Sequence, residues 1–226
     1  MSEDDMRARL KELEADNQRL RRLLDQRNAP AELRHRLRNT LSMFRSIIRG
    51  SAVTPRDQEG YAAHLEDRLN AFARAQAAAD EFGRVPLWEL LSEELLSYGV
   101  SDGERVSLNG PEVAFQPRPG LVFALTIHEL AVNAVEHGSL GLGTGRIEVN
   151  WRVRSLSSGP CLDFVWKESG DVQVSGSDHR GFGTEVLTKM LPYELSAKAR
   201  IDFEPEGLRC SISLPLPPDT GSAEES

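Results

Sequence analysis

Apolar residues first recur along the chain at Met6, Leu10, Leu13, Leu20 and Leu24, spaced alternately by four and three, with Asn17 filling the remaining position of the seam. This is heptad periodicity, and it predicts a short coiled coil over residues 1–28. A polar Asn17 on the seam costs stability but can pair with its own copy, which favours a parallel dimer in one register. An amphipathic helix packed on its own protein is the alternative for so short a repeat. Asn28-Ala29-Pro30 breaks the pattern, and Glu32 opens a second helix where the helix dipole favours negative charge. Its apolar residues Leu33, Leu37, Leu41, Phe44 and Ile48 fall within an arc of about 80° at roughly 100° per residue. Gly50 to Pro55 turns the chain, and Tyr61, Leu65, Leu69, Phe72 and Gln76 then repeat at helical spacing with alanines between them. Two such helices predict an αα-hairpin whose core is too small to stand without a partner copy or the next domain.

From Val85 onward the pattern alternates between helix and strand. Leu87 to Tyr98 reads as a helix, Arg105 to Phe115 as one or two short strands broken by Asn109-Gly110-Pro111, and Gly120 to His137 as a long helix. Period-two alternation, as in Leu162, Phe164 and Trp166, marks strands at Arg146–Val153 and Leu162–Lys167. A glycine-rich stretch leads into a helix at Thr184–Leu195, and strands at Arg200–Glu204 and Leu208–Leu214 close the segment. Helices and a largely antiparallel sheet in separate layers predict an α+β sandwich. The Pro, Ser and Glu-rich residues after Pro215 read as a disordered tail.

Composition narrows the function classes. The 226 residues are 39% hydrophobic and 27% charged, as in a folded globular protein. A net charge of −8, from 27 basic and 35 acidic residues, argues against general nucleic-acid binding. No apolar run approaches the roughly 20 residues that cross a bilayer, and the acidic start is unlike a signal peptide, so a cytoplasmic protein is expected, with no membrane partner. Cys161 and Cys210 read as ordinary thiols. Charge is also uneven: residues 29–49 carry five arginines against the single acid Glu32.

Four segments could carry chemistry. His35 points about 160° away from the apolar arc of its helix, with Asn39 one turn along and Arg38, Arg45 and Arg49 flanking it. An exposed imidazole among guanidinium groups suits a nucleophile that takes a phosphoryl group, or it is simply a solvated surface histidine. Glu129, Asn133 and Glu136 share one face of the long helix, opposite Ile127, Leu130, Ala131 and Ala134; they form either a hard-oxygen site for Mg²⁺ or a plain polar face. His179-Arg180-Gly181-Phe182-Gly183-Thr184 opens a helix, where glycines let the backbone approach a phosphate, although a lone Gly-x-Gly is also a common turn. Glu168, in Trp166-Lys167-Glu168-Ser169-Gly170, stands at a strand end where a carboxylate could accept from an adenine amino group, or where the chain merely turns.

Taken in order, these segments resemble the HWE family of bacterial sensor histidine kinases, whose catalytic domain is of the GHKL ATPase class. The resemblance rests on His35-Arg36-Leu37-Arg38-Asn39-Thr40-Leu41, on His128-Glu129-Leu130-Ala131-Val132-Asn133-Ala134 continuing through Glu136-His137-Gly138, on Trp166-Lys167-Glu168, and on Gly181-Phe182-Gly183-Thr184. It covers about residues 32–216. Between the coiled coil read from the heptads (residues 1–28) and the disordered tail (218–226), it implies an α+β fold of a two-helix phosphoacceptor hairpin that becomes a four-helix bundle in a homodimer (29–82) and an α/β sandwich ATP-binding domain of the GHKL or Bergerat type (83–217). It further implies that His35 is phosphorylated with Glu129 as its catalytic partner, and that Asn133 binds Mg²⁺. Glu136, His137, Glu168, Gly170, Gly181, Phe182, Gly183 and Thr184 would hold ATP, with Glu168 on adenine. Arg38, Asn39, Arg45 and Arg49 would receive a response regulator. His128, although it names the family, borders the apolar face and suits a structural role at least as well as a catalytic one.

The chain departs from the family in reading Ser169-Gly170-Asp171 where Gly-Gly-Pro commonly follows Trp-x-Glu. Nothing but the coiled coil precedes the kinase segments, so an upstream sensor protein or the coiled coil itself is expected to bring the signal. Two other readings stand beside the kinase. One is a histidine phosphotransfer adaptor with a degenerate nucleotide pocket. The other is an anti-sigma-factor-like serine kinase, which Asn133-Ala134-Val135-Glu136-His137-Gly138 would also fit.

Overall fold

The computed structural model describes residues 37–38, 40–51, 57–103, 105–141, 145–170 and 182–217. The predicted coiled coil, His35, Asn39, Gly181 and the predicted tail from residue 218 lie outside them. The chain divides into two compact units, residues 1–46 and 47–226. In the first, residues 37, 38 and 40–46 are helical, and helical conformation runs on to residue 51, giving α1 (residues 40–51).

In the second unit, α2 (Gln58–Phe82) begins at Asp57, whose carboxylate accepts from the Gly60 N–H at 2.8 Å, and ends at Gly83, whose left-handed φ of 69° lets its N–H turn back to the Ala79 carbonyl. A two-residue strand β1 (Val85–Pro86) pairs with β3 (Ala114–Phe115), and α3 (Leu87–Ser97) lies between them in sequence. The main sheet has five strands in the order β2-β4-β5-β7-β6. These are β2 (Val106–Asn109), β4 (Arg146–Leu156), β5 (Gly159–Ser169), β6 (Lys198–Glu204) and β7 (Gly207–Pro215). β2 pairs parallel with β4 and every other pair is antiparallel. The register places Val149 opposite Trp166 and Trp151 opposite Phe164, so alternate residues of β4 and β5 turn one apolar face inward.

That face is covered by α4 (Pro117–Glu136), a helix buried over nearly its whole length. Phe123 of α4 packs edge-on to Phe164 of β5, with ring centres 5.2 Å apart, and meets Phe115 at 4.9 Å. α2 packs on α4 in turn, and its small Ala71, Ala75 and Ala79 are buried. The structure corrects the predicted stripe of α2: the buried face is Arg68, Ala71, Phe72, Ala75 and Ala79, whereas Tyr61, Leu65, Leu69 and Gln76 are only half-buried. In α1 the predicted arc is likewise displaced, with Leu37, Leu41 and Ile48 exposed and Met43 and Ile47 buried.

The helix expected at Thr184–Leu195 is present but not uniform. It runs as α5 (Phe182–Glu185), a π-helical stretch Val186–Met190, and α6 (Leu191–Leu195). Pro192 has no N–H to give the carbonyl four residues back, and the Leu191 N–H reaches the Val186 carbonyl instead, the five-residue step of a π-turn. Among the described residues no helix is long and apolar enough to cross a membrane.

Candidate functional site

The predicted site residues of the second unit are strung along the C-terminal half of α4 and just beyond it. Glu129 is 3% exposed, so the polar face expected there is not open to solvent; α2 covers it. Arg68 of α2 grips both carboxylate oxygens, with Nε 2.6 Å from Oε1 and Nη2 3.1 Å from Oε2. Asn133, one turn further along, is half-buried. Gly183 lies against both residues: a methyl group on it would come 3.2 Å from Asn133 Nδ2 and 3.3 Å from Glu129 Oε2. The tertiary fold therefore brings the Phe182-Gly183 segment to the Glu129–Asn133 pair, about 50 residues away in sequence. Phe182 is buried, and Thr184 is half-buried with its carbonyl accepting from the Thr188 hydroxyl at 2.6 Å.

Beyond the end of α4, Gly138 and Ser139 meet the end of β5. Glu168 is 3% exposed and accepts from the Ser139 N–H at 3.1 Å, from the Ser139 hydroxyl at 3.4 Å and from Trp166 Nε1 at 3.2 Å. Burial pushes its carboxyl above the usual carboxylate range, and the bonds from Ser139 and Trp166 oppose that rise. Residues 166 and 168 lie on one face of a strand, so the Trp-x-Glu spacing puts an indole donor beside its acceptor. Gly138 has to be glycine, because a Cβ there would stand 2.1 Å from Glu168 Oε2. A carboxylate offers about four lone-pair sites, and these three bonds use three of them. Gly170 follows at the strand end, its N–H bonded to the Glu206 carbonyl at 3.0 Å.

Glu136 faces α2: its Oε1 is 3.0 Å from His64 Nε2, and its Oε2 is 3.6 Å from Nε2 of the exposed His137. Arg38, Arg45 and Arg49 are exposed. One hard carboxamide oxygen with a carboxylate a turn away suits Mg²⁺, which takes few protein ligands and fills its shell with phosphate oxygens and water. Among the described residues no group of three or more His, Cys, Asp and Glu gathers as a protein metal cage; Asn133 could offer its carboxamide oxygen, whereas both oxygens of Glu129 are held by Arg68.

His128 is settled by its surroundings. It is 2% exposed, and its Nδ1 lies 2.8 Å from Glu94 Oε1 of α3, while Arg74 of α2 bonds the other oxygen of Glu94. Burial alone would raise the Glu94 carboxyl, but the bonds and charges of His128 and Arg74 outweigh it and hold Glu94 below its usual value. Burial and the Glu94 charge push the neighbouring Tyr98 hydroxyl up. Glu94→Gln should thus cost about 3 kcal/mol by taking the carboxylate partner from the buried His128 ring and from Arg74 together. Melting curves should show a midpoint lower by roughly 6–12 °C. Because the native pKa is depressed, this contribution is present above the ordinary carboxylate pKa and is lost as pH falls through the native value. The acid limb of stability should therefore be shallower in the variant.

Arg68, Glu94, Ser139 and the donor role of Trp166 escape a reading of the sequence. Arg68 sits among alanines in a helix whose own period carries no sign of a partner 61 residues away.

Residues 32–112 match the model of the HWE histidine kinase family. The chain is 33% identical over 198 residues to blue-light-activated histidine kinase 1 of Erythrobacter litoralis, covering 84% of this chain and 54% of that protein. It is 32% identical over 186 residues to the blue-light-activated histidine kinase of Rhizobium johnstonii, covering 81% and 52%. The chain thus spans about half the length of the curated relatives it matches. Among solved structures, the Erythrobacter litoralis EL346 blue-light activated histidine kinase aligns with a TM-score of 0.53 at 21% identity, covering 82% of this chain and 62% of that one. Its histidine kinase domain aligns with a TM-score of 0.53 at 17% identity, covering 79% and 94%. These structural likenesses show the fold. Residues 32–112 thus carry the HWE histidine kinase family segment, and the chain is similar to blue-light-activated histidine kinases over about half of their length.

Proposed function

We propose that the chain is an ATP-dependent protein-histidine kinase that phosphorylates itself on His35 and passes the phosphoryl group to an aspartate of a response regulator. The observation that carries the reading is the convergence on α4 of Glu129, Asn133, the Phe182-Gly183 segment and, at the helix end, Glu168 with one acceptor site unused. Glu168 holds the adenine amino group, and the backbone at Gly183 faces the phosphates. Mg²⁺ held at Asn133 would supply neutralisation of phosphate charge. A nitrogen of the His35 imidazole attacks the γ-phosphorus in line, forming the N–P bond. The bond from phosphorus to the bridging oxygen breaks, ADP leaves with that electron pair, and the proton of the other imidazole nitrogen passes to Glu129. In the second step the aspartate oxygen attacks the same phosphorus, and the imidazole leaves and takes up a proton again.

The five arginines of residues 29–49, including Arg38, Arg45 and Arg49 beside Asn39, complement the acidic pocket around a receiving aspartate and speed encounter by long-range attraction. Exposed Leu37 and Leu41, together with the heptads before them, support a homodimer whose hairpins pair as a four-helix bundle. The signal then enters through the coiled coil or an upstream sensor protein.

Incubation with γ-labelled ATP and Mg²⁺ tests the reading. Label that is acid-labile and base-stable is expected; acid-stable label would make the chain a serine kinase, and absence of label an adaptor. In the same assay Asn133→Asp should cut labelling from ATP by about 100-fold while His35 still accepts phosphate back from a phosphorylated regulator. Loss of both directions in a folded variant would show that Asn133 is not confined to the ATP half-reaction.

A further inference from the structure

Arg68 is a cation buried deep beneath the surface, and each edge of its guanidinium is used. Besides its two bonds to Glu129, its Nη1 donates to Ser51 Oγ at 2.9 Å, and the Ser51 hydroxyl is itself anchored to the Ile47 carbonyl at 2.8 Å. Its flat face lies over the Phe182 ring, with Cζ 4.4 Å from the ring centre. Phe182 is wedged in turn against Gly50, where a methyl group would stand 1.9 Å from the ring. One side chain of α2 therefore ties together the end of α1, the candidate catalytic carboxylate and the first residue after Gly181. A planar fork is needed for this; the single ammonium of lysine cannot span two oxygens and a hydroxyl while stacking on a ring.

A buried ion pair is a poor device for stability, since an apolar pair of the same volume holds a core as well or better. It is a good device for specifying one of two arrangements. Two further side-chain links fasten α2 in the same register, His64 to Glu136 at 3.0 Å and Arg74 to Glu94. A slide of α2 by one helical turn, about 5.4 Å, would break all three at once.

We propose that Arg68 is a latch on the kinase: while it grips both oxygens of Glu129 and holds Phe182 down, the carboxylate cannot take the His35 proton, and a shift of α2 releases it. This rests on the reading of Glu129 as the proton acceptor. In the latched state a proton arriving at Glu129 would meet a guanidinium already bonded to each oxygen, and the two positive charges repel. Release of α2 frees the carboxylate and loosens the segment that faces the phosphates in the same movement, so movement of the helical hairpin is converted into activity at the nucleotide site.

The test is Arg68→Met in the full chain, which keeps the length of the side chain and removes its charge. The initial rate of autophosphorylation should rise about tenfold, a typical coupling between sites. The KM for ATP should change little, and the amide hydrogens of residues 182–190 should exchange faster. A folded, nucleotide-binding Arg68→Met chain that is no faster than the parent, or slower, overturns the latch. If that variant does not fold, Ser51→Ala takes its place: it weakens the grip without leaving a buried carboxylate unpaired, and a higher rate supports the latch while an equal or lower one overturns it. Glu129→Gln separates this idea from the reading beneath it. A Glu129→Gln chain as active as the parent removes the role of Glu129 and the latch with it. An inactive Glu129→Gln chain beside an Arg68→Met chain no faster than the parent removes the latch alone. The double variant should be no more active than Glu129→Gln; activity equal to that of Arg68→Met would overturn the proposal.

Discussion

His35→Gln removes the acid-labile label from the chain, by at least about 1,000-fold, and leaves nucleotide affinity within about twofold of the parent. Glutamine keeps a polar side chain of similar reach, but its amide nitrogen has no free lone pair with which to attack phosphorus. Affinity survives because the residues proposed to hold the nucleotide, Asn133, Glu168 and Gly183, belong to the unit of residues 47–226, whereas His35 falls in the other. Three of the other four histidines offer contrasting controls. His128 is sealed in the core against Glu94, His64 is bonded to Glu136, and His137 has 70% of its side chain exposed. Label retained in the His35→Gln chain and mapped to His137 would move the phosphoacceptor out of the hairpin and overturn the proposed function.

Glu168→Ala carries the second large effect, and it separates into two measurements. Removing the carboxylate withdraws the acceptor from the Ser139 N–H and from Trp166 Nε1, both of which are buried with it. Stability should fall by about 2–4 kcal/mol, the penalty for orphaned buried donors, read from denaturant unfolding. Nucleotide affinity should fall further than stability explains, by about 100-fold, because a charged acceptor of the adenine amino group is lost. Trp166→Phe provides the comparison: it keeps most of the ring volume and removes one donor, so about 1 kcal/mol of stability goes and affinity changes less. Burial raises the Glu168 pKa, so between the ordinary carboxylate pKa and the raised one the native state holds a proton that the unfolded chain has released. The contribution of this group to stability therefore declines as pH rises from the ordinary carboxylate pKa through the raised one, and Glu168→Ala should lose that slope. An alanine variant that binds a fluorescent ATP analogue as tightly as the parent would take adenine recognition away from Glu168.

Much of the architecture is legible in the local pattern. Alternation along Leu162, Phe164 and Trp166 is a property of the strand itself, since successive side chains point to opposite faces, and β5 lies where that alternation puts it. The long apolar run before Glu136 becomes α4, because a helix buried nearly all round needs little periodicity to declare itself. The residue types that the proposed chemistry needs were also visible: a carboxylate and a carboxamide one turn apart, a carboxylate at a strand end, glycines ahead of a helix.

Contacts between distant segments were decided only by the tertiary structure. The pattern assigned the inward face of α2 to Tyr61, Leu65, Leu69, Phe72 and Gln76, and the fold turned the helix by roughly 60° to bury Arg68 and the alanines instead. Small side chains let α2 approach α4 closely, and the buried guanidinium is affordable only because Glu129 answers it across 61 residues. The parallel pairing of β2 with β4, the order β2-β4-β5-β7-β6, and the bond from Trp166 that explains the Trp-x-Glu spacing are of the same kind. Periodicity records which way a side chain points from its own backbone; what waits for it there is set by a different part of the chain.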